Sequence, residues 1–100
     1  LNISGGLEAS RDDEFFTTNE AVMKYNSEEL YCPTFVQYQE KDLQAKADRM
    51  TMKFKDEEVL LEGNVELLQE GDLVRSEGLI YWRKDKKFKL IKPKEAIIKP

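Results

Sequence analysis

The sequence falls back on itself when shifted by 29 residues, and a chain with a fixed internal period folds into units that stack. Leu1, Leu30, Val59 and Phe88 align, as do Ile3, Cys32, Leu61 and Leu90. Leu7, Val36 and Val65 follow, then Ala9, Tyr38, Leu67 and Ala96. In the other half of the unit Phe16, Ala45 and Val74 coincide, then Thr18, Ala47 and Ser76, then Ala21, Met50 and Leu79, then Met23, Met52 and Tyr81. The polar turns Asn26-Ser27-Glu28-Glu29, Lys55-Asp56-Glu57-Glu58 and Lys84-Asp85-Lys86-Lys87 align without a gap.

Each unit alternates apolar and polar residues on both sides of a polar turn, most clearly over Ala45 to Val65, and that is the pattern of a β-hairpin. Seven strands are expected, at about 1–10, 14–25, 30–39, 43–54, 59–68, 73–83 and 88–98. The Arg11-Asp12-Asp13, Glu40-Lys41-Asp42 and Gln69-Glu70-Gly71-Asp72 turns close one side, and the Asn26, Lys55 and Lys84 turns close the other. Connections this short force antiparallel neighbours. An isolated hairpin is marginal in water, so several units must share one core.

The parity of the alternation carries a second message. It is unbroken in 30–39 and 59–68 but switches once in 14–25, 43–54 and 73–83, at Asn19-Glu20, Asp48-Arg49 and Glu77-Gly78. One extra residue in each of those strands would be a bulge that bends it. Gly5 and Gly63 fall at matching places in the alternate strands, where a missing side chain also permits a bend. The expectation is an all-β, flattened, twisted roll, closed around its long axis and open at both ends, with residues 1–100 as a single domain.

The inward side chains are then Leu1, Ile3, Leu7, Ala9, Phe16, Thr18, Ala21, Met23, Leu30, Cys32, Val36, Tyr38, Ala45, Ala47, Met50, Met52, Val59, Leu61, Val65, Leu67, Val74, Ser76, Leu79, Tyr81, Phe88, Leu90 and Ala96. None of them is charged; Lys94, on the Val36 and Val65 position, is the single break. Two readings of this set stand: a solid core, or small and flexible residues that leave a groove for an apolar ligand.

Composition removes several functions. With no histidine and one cysteine, the chain has no Ser-His or Cys-His pair, no usual zinc set and no internal disulfide. Cys32 lies at an inward position and reads as a small buried hydrophobe. A net charge of -4 argues against nucleic acid, which calls for a basic face. No apolar run approaches the roughly 18 residues of a membrane-spanning helix. The chain begins at Leu1, without Met, in what reads as mid-strand, so a fragment of a longer protein is expected, with an upstream anchor left open. The acidic runs Asp12-Asp13-Glu14 and Asp56-Glu57-Glu58 lack the spacing of a calcium loop and read as solvated turns. Trp82, on the outward parity, covers an outer patch or meets a partner.

Ala47-Asp48-Arg49-Met50-Thr51-Met52 followed by Leu61-Glu62-Gly63-Asn64-Val65 resembles the "A-D-x-hydrophobic … G-N-V" signature of the OstA/LptA/LptC superfamily of lipopolysaccharide transport proteins. Ile3-Ser4-Gly5-Gly6-Leu7 and Thr17-Thr18-Asn19-Glu20-Ala21 are similar to strands of the LptC branch, and Gly78-Leu79-Ile80-Tyr81 to a later superfamily strand. The resemblance implies a non-enzymatic, cofactor-free β-jellyroll in the periplasm, tied to the inner membrane by a segment absent here. It would receive lipopolysaccharide, shelter the acyl chains and pass them on. Lipid would then be lined by Phe16, Thr18, Ala21, Met23, Cys32, Val36, Tyr38, Ala45, Ala47, Met50, Met52, Leu61, Val65, Val74, Ser76, Leu79 and Tyr81. LptA-like and LptF/LptG-like jellyroll partners would dock through the two edge strands. Two alternatives are an LptA-like soluble bridge and a structural β-roll that polymerises by its edges without lipid. The lysines of the last strand region, Lys84, Lys86, Lys87, Lys89, Lys92, Lys94 and Lys99, fit either protection of an exposed edge or contact with an anionic partner.

Overall fold

In the computed structural model, residues 2–11, 14–40 and 43–97 are described, with side chains described for 14–40 and 43–94. Among the described residues nine antiparallel strands follow one another: β1 (Asn2–Arg11), β2 (Glu14–Lys24), β3 (Glu29–Cys32), β4 (Val36–Glu40), β5 (Leu43–Ala47), β6 (Arg49–Lys53), β7 (Glu58–Gln69), β8 (Asp72–Trp82) and β9 (Lys87–Ile97). They form one sheet. Two of the seven expected strands are each split in two. Pro33, which lacks an N–H, interrupts the third between β3 and β4, and Asp48 interrupts the fourth between β5 and β6. β2 and β7 run unbroken across these gaps, pairing with β4 and β3, and with β5 and β6, in turn. The result is a meander in which each long strand is bent near its middle.

The bend folds the sheet along a crease. An unbent strand of eleven residues, such as β8, would reach about 36 Å. The molecule measures 44 × 26 × 23 Å, so strands fit across it only when folded. One half-sheet holds the β4, β5 and early β8 segments; the other holds β3, β6 and late β8. Their inner faces share one core, which includes Cys32, Val36, Met50, Leu61, Val65 and Leu79.

The extra residue at the crease lies opposite the place the parity suggested. Glu62 to Val65 spans three steps against two from Gly78 to Ser76, and Ser4 to Leu7 spans three against two from Glu20 to Thr18. The strands of unbroken parity therefore carry the bulge. Three residues lie between inward Leu61 and inward Val65, while two lie between their partners Leu79 and Ser76. Gly63 (φ 82) and Asn64 (φ 48) absorb the surplus in the left-handed region. A Cβ on Gly63 would sit 2.8 Å from Asp48 Oδ2, so the position also demands a missing side chain.

The 29-residue period is repeated in backbone geometry. The turns occupy 25–28, 54–57 and 83–86, one residue earlier than expected. Their last residues, Glu28, Glu57 and Lys86, share φ values of 53, 51 and 52. Each turn is hydrogen-bonded to the next: Phe54 N donates to Glu28 O at 3.1 Å and Arg83 N to Glu57 O at 2.9 Å. On the other side Glu70 and Gly71, both at positive φ, make the two-residue β7–β8 hairpin.

Candidate functional site

Of the proposed lining residues, Phe16, Thr18, Ala21, Cys32, Val36, Tyr38, Ala45, Ala47, Met50, Met52, Leu61, Val65, Ser76, Leu79 and Tyr81 are buried between the half-sheets. Met23 and Val74 are half-buried against them. Leu30, Val59 and Leu67 are buried as expected, and Leu90 packs at the margin. Phe88 is a correction: it is 37 % exposed, because among the described residues β9 is the last strand and no further rung covers it. Leu1, the side chains of Ile3, Leu7, Ala9 and Ala96, the residues Asp12, Asp13, Lys41 and Asp42, and Lys99 lie outside what is described.

The inner wall at the crease is small. Thr18 Oγ1 lies within reach of Glu20 O (3.2 Å) and Phe35 O (3.3 Å), which share its one proton, and Ser76 Oγ donates to Gly78 O (2.6 Å). Ala47, at the same place in the middle unit, has no hydroxyl. There the neighbouring Asp48 serves instead: its N–H donates to Gly63 O at 2.9 Å and its carboxylate accepts from Asn64 Nδ2 at 2.9 Å. The Ala-Asp … Gly-Asn-Val signature is thus the latch of the crease. Cys32 is completely buried, and burial pushes its thiol up to about 11, opposed by a hydrogen bond with Thr18.

The expectation of an uncharged interior is overturned at the opposite side. Glu40 is buried, and Glu14 and Arg83 expose only 15 % and 8 % of their side chains. Arg83 Nε lies 3.3 Å from Glu14 Oε1, and Lys86 Nζ lies 3.5 Å from Glu40 Oε1. Tyr38 OH donates to Glu14 Oε2 at 2.7 Å and lies 3.4 Å from Glu40 Oε2. The Tyr38 and Tyr81 rings meet edge-on at 6.4 Å. Burial, then the neighbouring carboxylates, hold both phenols well above the usual tyrosine range. The Arg83 guanidinium also reaches Met52 Sδ at 3.7 Å, so the cluster touches the core directly.

This cluster joins the free ends of the two half-sheets. Glu14 opens β2 and Glu40 ends β4 on one; Tyr81, Arg83 and Lys86 lie at the end of β8 and in the turn after it on the other. Among the described residues no backbone hydrogen bond links these ends. The roll is therefore closed by backbone at the crease and by side chains at this seam. A depression of about 160 Å³ opens beside it, lined by Glu40, Leu43, Gln69, Glu70, Tyr81, Lys86 and Phe88. Leu43, buried but absent from the expected lining, forms part of its wall.

A creased antiparallel sheet with its apolar faces turned inward is the architecture of a β-jellyroll. The chain belongs to the LptA/(LptD N-terminal domain) LPS transport protein family, whose pattern matches residues 6–87. Its fold is similar to that of LptH from Pseudomonas aeruginosa, the LptA homologous periplasmic component of the lipopolysaccharide transport device. The two share 15% identity and a TM-score of 0.84, over 99% of this chain and 83% of that one. No curated protein sequence matches significantly.

Proposed function

We propose that residues 1–100 act as one periplasmic roll that holds the acyl chains of lipopolysaccharide between its half-sheets and passes the molecule to a neighbouring roll. The observation that carries this reading is the shared inner face: fifteen of the lining residues named above are buried on it, in a fold and family of lipopolysaccharide transport. Each methylene sheltered from water gains about 0.8 kcal/mol, so an acyl chain of about a dozen carbons crosses an aqueous compartment only under cover. Among the described residues the strands β1 and β9 end the sheet, pairing with β2 and β8 alone, and offer edges to LptA-like or LptF/LptG-like rolls. Family membership supports the LptA-like bridge; the Thr17-Thr18 … Ala21 strand supports an LptC-like roll tied to the inner membrane.

A photo-crosslinking residue at Met52 or Leu61 tests the carrier role. Adducts with lipopolysaccharide at these positions, and none at exposed Lys46, are expected. Absence of adducts in a transport-competent assembly contradicts it and favours a structural roll that polymerises by its edges.

A further inference from the structure

The interior is filled by its own side chains. Met50, Val59, Leu61, Val65 and Leu79 are each no more than 1 % exposed. A ligand can occupy that space only if the half-sheets separate. At the crease separation is opposed by continuous strands and by the Asp48–Asn64 latch. At the seam, among the described residues, it is opposed by side chains alone: two ion pairs and the edge-on contact of the Tyr38 and Tyr81 rings.

The seam is also imperfectly made. Although Arg83 Nε is within 3.3 Å of Glu14, its N–H is not aimed at an acceptor and it has no hydrogen-bond partner, in a side chain more than nine-tenths buried. Lys86 exposes 61 % of its side chain and holds Glu40 at the 3.5 Å limit of a hydrogen bond. A buried donor left unpaired weakens the closed state, and an exposed lysine contributes little to an ion pair. The depression beside the seam exposes Phe88 and borders Leu43 and Tyr81, so an apolar chain resting there already touches the rim of the core.

We propose that this seam is the route by which an acyl chain reaches the interior. Glu14–Arg83 and Glu40–Lys86 act as a clasp, and the roll admits lipid sideways by releasing it rather than by threading the chain through an open mouth. The inference rests on the carrier function above and assigns the control of loading to four charged residues. The acyl chain first lies along Leu43, Tyr81 and Phe88; Arg83 then swings off Met52 and exposes the core face.

The test staples the seam. Glu40→Cys and Lys86→Cys are introduced together in the full chain with Cys32→Ala, and joined by a short bismaleimide. Capture of lipopolysaccharide labelled on its sugar is timed by fluorescence, with circular dichroism to confirm an unchanged fold. The stapled protein is expected to load at least tenfold more slowly than the same protein before crosslinking. The companion pair Glu40→Gln with Lys86→Gln is expected to load severalfold faster than wild type. Equal rates with and without the staple overturn the clasp while the carrier role stands. Failure of every form, wild type included, to capture lipid overturns both.

Discussion

The crease and the seam are the two long sides of one roll, and they are held by different forces. The crease is covalent chain: β2, β7 and β8 run through it, and its sharp bend is set by Gly63 and Asn64 against Asp48. The seam is two rows of strand ends brought together by Glu14, Tyr38 and Glu40 on one side and Tyr81, Arg83 and Lys86 on the other. Backbone closure resists opening wherever the chain is folded. Side-chain closure can be undone without breaking a single strand pairing. A carrier that holds lipid inside needs both kinds, one side to stay fixed and one to give way.

The strongest challenge to this contrast is a variant at the crease. Gly63→Val places a branched side chain at φ 82 and into Asp48, and is expected to lose about 3 kcal/mol or more in urea unfolding. By comparison Glu40→Gln with Lys86→Gln is expected to change stability by less than about 1 kcal/mol, since the lysine is largely exposed. Similar losses at the two places would erase the distinction.

Next in size is the half-buried pair within the seam. Arg83→Met alone leaves the largely covered Glu14 carboxylate without its counter-ion, and a loss of about 2 kcal/mol is expected. Adding Glu14→Leu removes the stranded charge and should restore most of that loss. An additive double variant would show that the two charges do not face each other.

A more gradual effect comes from alkali. Burial raises the Cys32 thiol from 9.0 to about 11, and raises Tyr38 and Tyr81 from 10.0. A raised pKa in the folded state means that folding favours the protonated form. Its stabilisation is complete below the unfolded pKa and is lost as pH rises towards the folded one. The urea midpoint should therefore fall from about pH 9 upward, more steeply above about pH 10 where unfolded tyrosines ionise. Between pH 9 and pH 11 the fall should be shallower in Cys32→Ala. A flat profile in the wild type over that range would contradict the burial of all three groups.

The smallest expected change is a gain. Lys92 occupies the place of Gly63 one period later and holds φ 50 with a full side chain. Its contact with Glu77, at 3.9 Å between largely exposed groups, adds little. Lys92→Gly is expected to stabilise by up to about 1 kcal/mol by relieving the left-handed backbone. No gain, or a loss, would mean that the bend in β9 is not the same bend.

Much of this architecture is legible from the spacing of residues alone. Period-two alternation with parity switches at Asn19, Asp48 and Glu77 locates the crease, because a half-buried strand that bends must lose or gain one residue to keep its side chains aimed inward. Alternation does not say which partner carries the surplus; that depends on left-handed φ values at Gly63 and Asn64 that only the paired register reveals. The seam is hidden in the sequence for a different reason. Glu14, Glu40 and Arg83 each lie two residues beyond an inward residue, namely Phe16, Tyr38 and Tyr81, so parity alone turns all three inward. Their charge argued for solvent, and their partners are distant in sequence. Leu43, two residues before Ala45, was readable by the same rule. Phe88 escapes the rule because alternation shows which face a residue takes but not whether another strand covers it.

The most direct test of the hinged roll is a distance measured across the seam. Spin labels at exposed Gln69 and Lys87, in a Cys32→Ala protein, report on the two half-sheets; labels at exposed Gln39 and Gln69 report within one of them. Saturation with lipopolysaccharide is predicted to widen the first distance and leave the second unchanged. A first distance that stays the same in the lipid-loaded protein would contradict the account.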